Sequence, residues 1–317
     1  MHEPKSERGL TFKSYFVCAW FLILSVLGVV LPEGPKSLII HIMALCIFAM
    51  AYDISLGYTA LCSLGHAVFF GMGAYIFVYS ILKGSLGFLL SLLLSLVGGL
   101  TVGILVGLIS VRLTEAYFVI VTAVIYSIFH LLALNLTWLT GGDDGISVEI
   151  PGYNLGVFYL SVYNKSVNYY LVLLVFMATY LFLDILTRSK LGKVLVAIRE
   201  NEKRASFLGY NVFHYKLSSF AVSAAFSALA GGIYALSLRY ASADFFSFHW
   251  SILPVVWCLI GGLGTLYGSW IGVSLMYLFQ YYVSSWWHFY LLIFGVLILF
   301  ILRYSKGGIV GYIMERL

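Results

Sequence analysis

The sequence predicts an all-α integral membrane protein, a polytopic helical bundle of about 10 transmembrane helices, with 8–10 allowed by the apolar runs. Three observations predict it. Of 317 residues, 62% are hydrophobic and 10% charged, and the mean hydropathy is +1.00. A soluble domain carries roughly 25% charged residues, so a soluble chain of this composition could not cover its surface. The apolar residues fall into runs near the about 20 residues needed to cross a bilayer. The charged residues gather in short segments between those runs, as spans and loops require.

The runs, in order, are 15–31, 37–54, 57–82, 86–109, 117–136, 169–187, 217–238, 250–264, 267–285 and 287–302. Lys5, Arg8 and Lys13 precede the first, as in a signal peptide. That run ends Val29-Val30-Leu31-Pro32-Glu33 with no small-x-small cleavage site, so an uncleaved span is expected. Residues 53–66 hold Asp53, Gly57, Ser63, Gly65 and His66, and a broken or re-entrant segment is the alternative there. Only Gly261-Gly262-Leu263-Gly264-Thr265 separates the eighth run from the ninth. No linker or second domain is visible, and residues 1–317 read as one transmembrane domain.

Basic residues in short loops set the orientation. Segment 188–216 carries Arg188, Lys190, Lys193, Arg199, Lys203, Arg204 and Lys216 and is expected in the cytoplasm. Loop 137–168 has Asp143, Asp144 and Glu149 against a single Lys165 and is expected outside. Ten spans with both termini cytoplasmic satisfy these segments together with Arg112, Arg303, Lys306 and Arg316. The net charge of +5 then follows from topology, so the expected surroundings are lipid and not nucleic acid. Cys18, Cys46, Cys62 and Cys258 lie in apolar runs without a CxxC pair and read as buried small hydrophobes. Trp138, Trp250, Trp286 and Trp287 sit near span ends, where an interfacial aromatic belt is expected. The Walker A pattern is absent: Gly192-Lys193 is followed by Val194. If ATP is used, another chain hydrolyses it.

Within segment 188–216, residues 193–208 lack Gly and Pro and predict one amphipathic helix. Val194, Ile198, Ala205 and Leu208 fall near one face, and Gly209 is placed to cap it. Composition alone leaves three readings open: a solvated loop helix, a helix lying on the membrane surface, or a helix that docks into a groove of a partner.

Ala197-Ile198-Arg199-Glu200-Asn201-Glu202-Lys203-Arg204-Ala205, with Gly209 following, resembles the coupling segment of branched-chain amino acid ABC transporter permeases. Further segments resemble the same family in order along the chain: Ser63-Leu64-Gly65-His66 with Gly71-Met72-Gly73-Ala74-Tyr75; Tyr117-Phe118-Val119-Ile120-Val121-Thr122; Leu139-Thr140-Gly141-Gly142-Asp143-Asp144-Gly145; Ala230-Gly231-Gly232-Ile233-Tyr234; and Ile260-Gly261-Gly262-Leu263-Gly264-Thr265. The resemblance implies a permease subunit of an importer in the plasma (inner) membrane. Its implied partners are ATPase subunits, a second homologous permease chain and an extracytoplasmic solute-binding protein. It implies no cofactor on this chain, with ATP and Mg on the partner ATPase. Ala197, Arg199, Glu200, Glu202, Arg204, Ala205 and Gly209 are then the ATPase-coupling residues. Gly141, Gly142, Asp143 and Asp144 form an external turn facing the binding protein. The chain departs from the family at Asp53, where Asn is usual, and at Ala60-Leu61, where Gly-Gln is usual. The family also takes urea and short amides, so these departures leave the solute open.

Asp53, Ser63, Gly65, His66, Gly261, Gly262 and Gly264 are candidate pathway residues, because interrupted spans mark midplane sites in transporters. Each also has a plainer reading: Asp53 wet in a turn, His66 bonded between helices, the glycines as close-packing points. A stand-alone secondary carrier is a different class of reading and needs intramembrane carboxylates; beyond Asp53 and Asp184 the spans offer none. An intramembrane enzyme built on Ser63 and His66 lacks a nearby group to orient the base and a second metal ligand.

Overall fold

The computed structural model describes residues 5–84, 86–149, 153, 154, 159, 160, 164–284, 292, 295, 296 and 307–311. Its helices are α1 (Lys5–Val30), α2 (Glu33–Thr59), α3 (His66–Leu82), α4 (Phe88–Ser110), α5 (Glu115–Asn135), α6 (Thr137–Thr140), α7 (Lys165–Arg188), α8 (Lys190–Glu200), α9 (Glu202–Phe207), α10 (Val212–Leu238), α11 (Phe248–Gly261) and α12 (Leu266–Ser284). Two short ribbons complete it: β1 (Ile146–Ser147) pairs antiparallel with β4 (Tyr240–Ala241), and β2 (Tyr153–Asn154) with β3 (Tyr159–Leu160).

Five helices among the described residues are long and apolar enough to cross a membrane: α2, α4, α5 from Ala116, α7 and α10. The pair α11 and α12, bent by 111°, adds a sixth if counted as one span. Tyr15–Val30 and α3 are shorter apolar helices. Nine of the expected spans thus meet helix. Of the tenth, 287–302, only residues 292, 295 and 296 are described, each helical; Arg303, Lys306, Arg316, Trp286 and Trp287 lie outside the described residues.

Two 27-residue helices, α2 and α10, form the centre; the apolar window of each is 78% buried, against 17% for α5. In lipid, apolar side chains gain little by leaving the solvent, so helices associate by close packing of small residues. The joint between α10 and its neighbours follows that rule. Gly73 of α3 lies against the Ala228 carbonyl with no room for a β-carbon, and Gly99 and Gly103 of α4 face Ala224 and Ala228. Buried aromatics fill the rest: Phe70 stacks on Trp250 at 4.8 Å and tilts against Phe48 at 4.8 Å. Trp250 is therefore a core residue, 8% exposed, and not part of an interfacial belt. Its indole donates to Asp244 Oδ2 at 3.2 Å, which satisfies the polar edge inside the bundle. Outward faces of α4 and α5 carry Leu93, Leu105, Ile120, Val124 and Leu131.

The third expected span, 57–82, is not one helix. Helix α2 continues to Thr59, residues 60–65 leave helical geometry, and α3 begins at His66. The stop falls on Ala60, whose φ of 58° is left-handed, with its amide on the Leu56 carbonyl at 3.0 Å. Arg239, φ 57°, closes α10 the same way. Each long central helix is thus followed by a shorter one, 17 residues in α3 and 14 in α11.

Candidate functional site

The charged segment folds differently from the single helix expected over 193–208. It is two helices, α8 and α9, broken at Asn201. Asn201 adopts φ −159° and its side chain accepts from the Arg204 amide at 2.9 Å. Asn is a weak helix former and a strong N-cap, so capping a new helix wins over continuing the old one. Val194, Ile198 and Ala205 pack together with Val212 and Tyr215. Leu208 does not join them: it is 76% exposed beside Phe207 at 90%. Gly209 follows at φ 88°, left-handed as a C-terminal cap requires.

Two side chains tie this segment to the bundle. Arg199 Nη1 donates to the Gly57 carbonyl of α2. That carbonyl is free because the Leu61 amide, which would close the next helical turn on it, goes to Ser55 O at 2.9 Å. Arg199 therefore caps the negative end of α2. Lys216 Nζ of α10 donates to Glu202 Oε2 of α9 at 2.6 Å, with the lysine 8% exposed. Lys216 was not singled out by spacing, because a basic residue at a span end is common. Between the end of α2 and α8–α9 lies a polar groove of about 630 Å³, lined in part by Thr59, Ala60, Arg199, Glu202, Lys203 and Lys216.

The candidate pathway residues divide into two groups. Asp53, Gly261, Gly262 and Gly264 meet at the α11–α12 turn. Asp53 is fully buried, and its Oδ1 accepts from the Gly264 amide at 2.9 Å. It is not a wet turn residue. Gly57 has no room for a β-carbon between the Asp53 carboxylate and Gly264. Ser63, Gly65 and His66 belong to the 60–65 break. Tyr52 Oη donates to the Ser63 carbonyl at 2.9 Å, Ser55 Oγ to the Leu61 carbonyl at 2.9 Å, and the Leu64 amide to Thr122 Oγ1 at 3.2 Å. His66 Nε2 pairs with Ser223 Oγ of α10 at 2.8 Å, and the Ala67 amide donates to Ser251 Oγ of α11 at 3.2 Å. Ser63 Oγ accepts from the Gly65 amide at 3.1 Å, so Ser63 and His66 turn to different partners. Asp184 pairs with Arg188 at 2.8 Å.

At the opposite end of the bundle, Gly141, Gly142 and Gly145 all have positive φ, and Asp143 and Asp144 are exposed. Tyr75 Oη holds the Thr140 carbonyl and Tyr240 Oη the Asp144 carbonyl, each at 2.9 Å. The β1–β4 ribbon fastens the same loop to the end of α10.

A helical membrane bundle with broken inner helices, and one charged two-helix segment bonded to its centre, defines a multi-pass membrane transport component. Residues 35–302 match the family described as "Branched-chain amino acid transport system / permease component", and the chain belongs to that family. It is 27% identical over 327 residues to the high-affinity branched-chain amino acid transport system permease protein LivM of Salmonella typhimurium, covering 96% of this chain and 77% of that one. It is 26% identical to the LivM of Escherichia coli, over 95% and 76%, and 28% identical to a probable LivM of Methanocaldococcus jannaschii, over 63% and 61%. No solved structure matches the chain. A permease component is not itself an enzyme; the ATPase of such a transporter is a separate subunit.

Proposed function

We propose that this chain is the membrane-spanning subunit of an ATP-binding-cassette importer that moves branched-chain amino acids, or a similar small polar solute, into the cytoplasm by alternating access. The observation that carries the reading is the α8–α9 segment. It presents exposed charges at Glu200, Lys203 and Arg204 and exposed apolar side chains at Phe207 and Leu208, while Arg199 and Lys216 bond its other side into α2 and α10. That is a surface suited to a partner on one side and to the spans on the other. In this reading α8–α9 is the cytoplasmic coupling segment within 188–216, docked on the ATPase. The acidic loop within 137–168 faces outside toward the binding protein, both termini are cytoplasmic, and the spans number ten. A second homologous permease completes the pathway. The relatives' names make leucine, isoleucine and valine the first solutes to test, and urea and short amides the second. A secondary carrier is disfavoured because it needs intramembrane carboxylates, and of the two that the spans offer Asp184 is paired with Arg188.

The chain purified from its own membrane in mild detergent is expected to bring an ATPase and a second permease chain with it. Recovery of the chain alone, in detergents that preserve other importer complexes from the same membrane, contradicts the reading.

A further inference from the structure

The last turns of α2 hold two things at once. Its orphan carbonyl at Gly57 takes the Arg199 guanidinium of α8, and its Asp53 carboxylate takes the Gly264 amide of the α11–α12 turn. The two bonds are not independent. A β-carbon on Gly264 would lie 3.0 Å from Arg199 Nη1 and 3.3 Å from the Gly57 carbonyl oxygen, so the cation, the α2 end and the turn share one contact point. Gly262, at φ 126°, and Gly264, at φ 73°, make the turn tight enough to reach that point. One polar atom is left over: Asp53 Oδ2 is buried and has no hydrogen-bond partner. A buried carboxylate oxygen without a donor is unfavourable and asks for a cation, and Arg199 carries the charge already at the junction.

We propose that Asp53 and Arg199 are positioning residues that latch the coupling segment to the α11–α12 turn, Arg199 resting on Gly57 in this arrangement and moving onto Asp53 Oδ2 when α8 is driven toward the bundle. The latch rests on the reading of the chain as an ATP-driven permease. Transfer of the guanidinium frees the Gly57 carbonyl, satisfies the carboxylate and pulls on Gly264, so a displacement of α8 reaches α2 and the bent α11–α12 pair together. Asp53 acts through this contact and not by lining the solute path. It is fully buried, and the Gly57–Gly264 backbone approach leaves no space beside it.

The test uses the whole complex, with its ATPase, partner permease and binding protein, in proteoliposomes loaded with ATP, following hydrolysis and labelled leucine uptake together. Asp53→Asn keeps the shape and the Oδ1 acceptor but removes the charge. It is expected to lower leucine imported per ATP by about tenfold, the equivalent of one charge-assisted hydrogen bond, with the leucine concentration for half-maximal uptake unchanged. Arg199→Gln is expected to match it, and the double variant to be no worse than either single one. Wild-type stoichiometry in D53N, a changed half-maximal concentration with unchanged stoichiometry, or losses that multiply in the double variant would each overturn the latch. If D53N fails to assemble, R199Q, altered at an exposed position, is judged by the same stoichiometry. A wild-type complex that takes up leucine without ATP overturns the underlying reading instead, which separates the two failures.

Discussion

Between α2 and α3 the chain leaves helix for residues 60–65 on neutral partners, chiefly hydroxyls and backbone groups; between α11 and α12 it turns over residues 262–265 against an aspartate, with an arginine bonded to the neighbouring Gly57 carbonyl. Two of the groups holding the first break lie close in sequence, Tyr52 and Ser55 being 11 and 6 residues from the carbonyls they bond. The second is held across 211 residues by Asp53, and Arg199 reaches its neighbour Gly57 across 142. The first break is bonded by hydroxyls of α2 and, through the Leu64 amide, of α5. A turn held beside a charge on a separate segment answers to that segment. The first interruption reads as architecture and the second as the place where motion enters the bundle.

The largest effect is expected at Gly57. Gly57→Ala drives a β-carbon into Asp53 and the Gly264 amide, and is expected to cost about 1–3 kcal/mol through overpacking. Thermal unfolding in detergent should show a clear drop, and an unchanged midpoint would mean the three groups do not touch. Tyr52→Phe removes the hydroxyl that bonds the Ser63 carbonyl and meets Cys62 Sγ, and is expected to cost about 1 kcal/mol, read in the same assay, while leaving ATP-coupled uptake as in the wild type. Loss of coupling in Y52F would erase the distinction between the two breaks. The smallest effect has the opposite sign. Ala60→Gly relieves a left-handed alanine and is expected to stabilise by about 0.5–1 kcal/mol, since the roughly 1–2 kcal/mol steric cost is partly offset by glycine's freer unfolded chain. A lowered midpoint would mean the α2 cap is not left-handed.

Much of the fold was legible in the sequence because lipid imposes long apolar runs, and nine of the expected runs meet helix, 57–82 with a break at 60–65. The interruption near Gly65 and His66 was legible for a related reason, since polar and glycine residues are out of place within a span. Its starting point was not: Ala60 gives no local sign of a left-handed cap. Asn201 did carry a signal, an Asn followed three residues later by the amide it caps, but the apolar face over 193–208 pointed to one continuous helix and the cap overrode it. Trp250 looked interfacial because tryptophan near a span end usually is, and only the contact with Asp244 and Phe70 shows why it sits inside. Asp53, Gly264 and Arg199 were each singled out, yet in two different roles. Their meeting depends on how α2, α8 and the α11–α12 turn pack, and no local spacing encodes that.

Solute uptake by the reconstituted complex with and without ATP hydrolysis tests ATP-driven import through this chain. Labelled leucine is expected to accumulate in vesicles only when ATP is present on the α8–α9 side and the binding protein on the other, and a non-hydrolysable ATP analogue is expected to stop it. Uptake that proceeds through this chain alone, with no ATPase and no ATP, would contradict ATP-driven import.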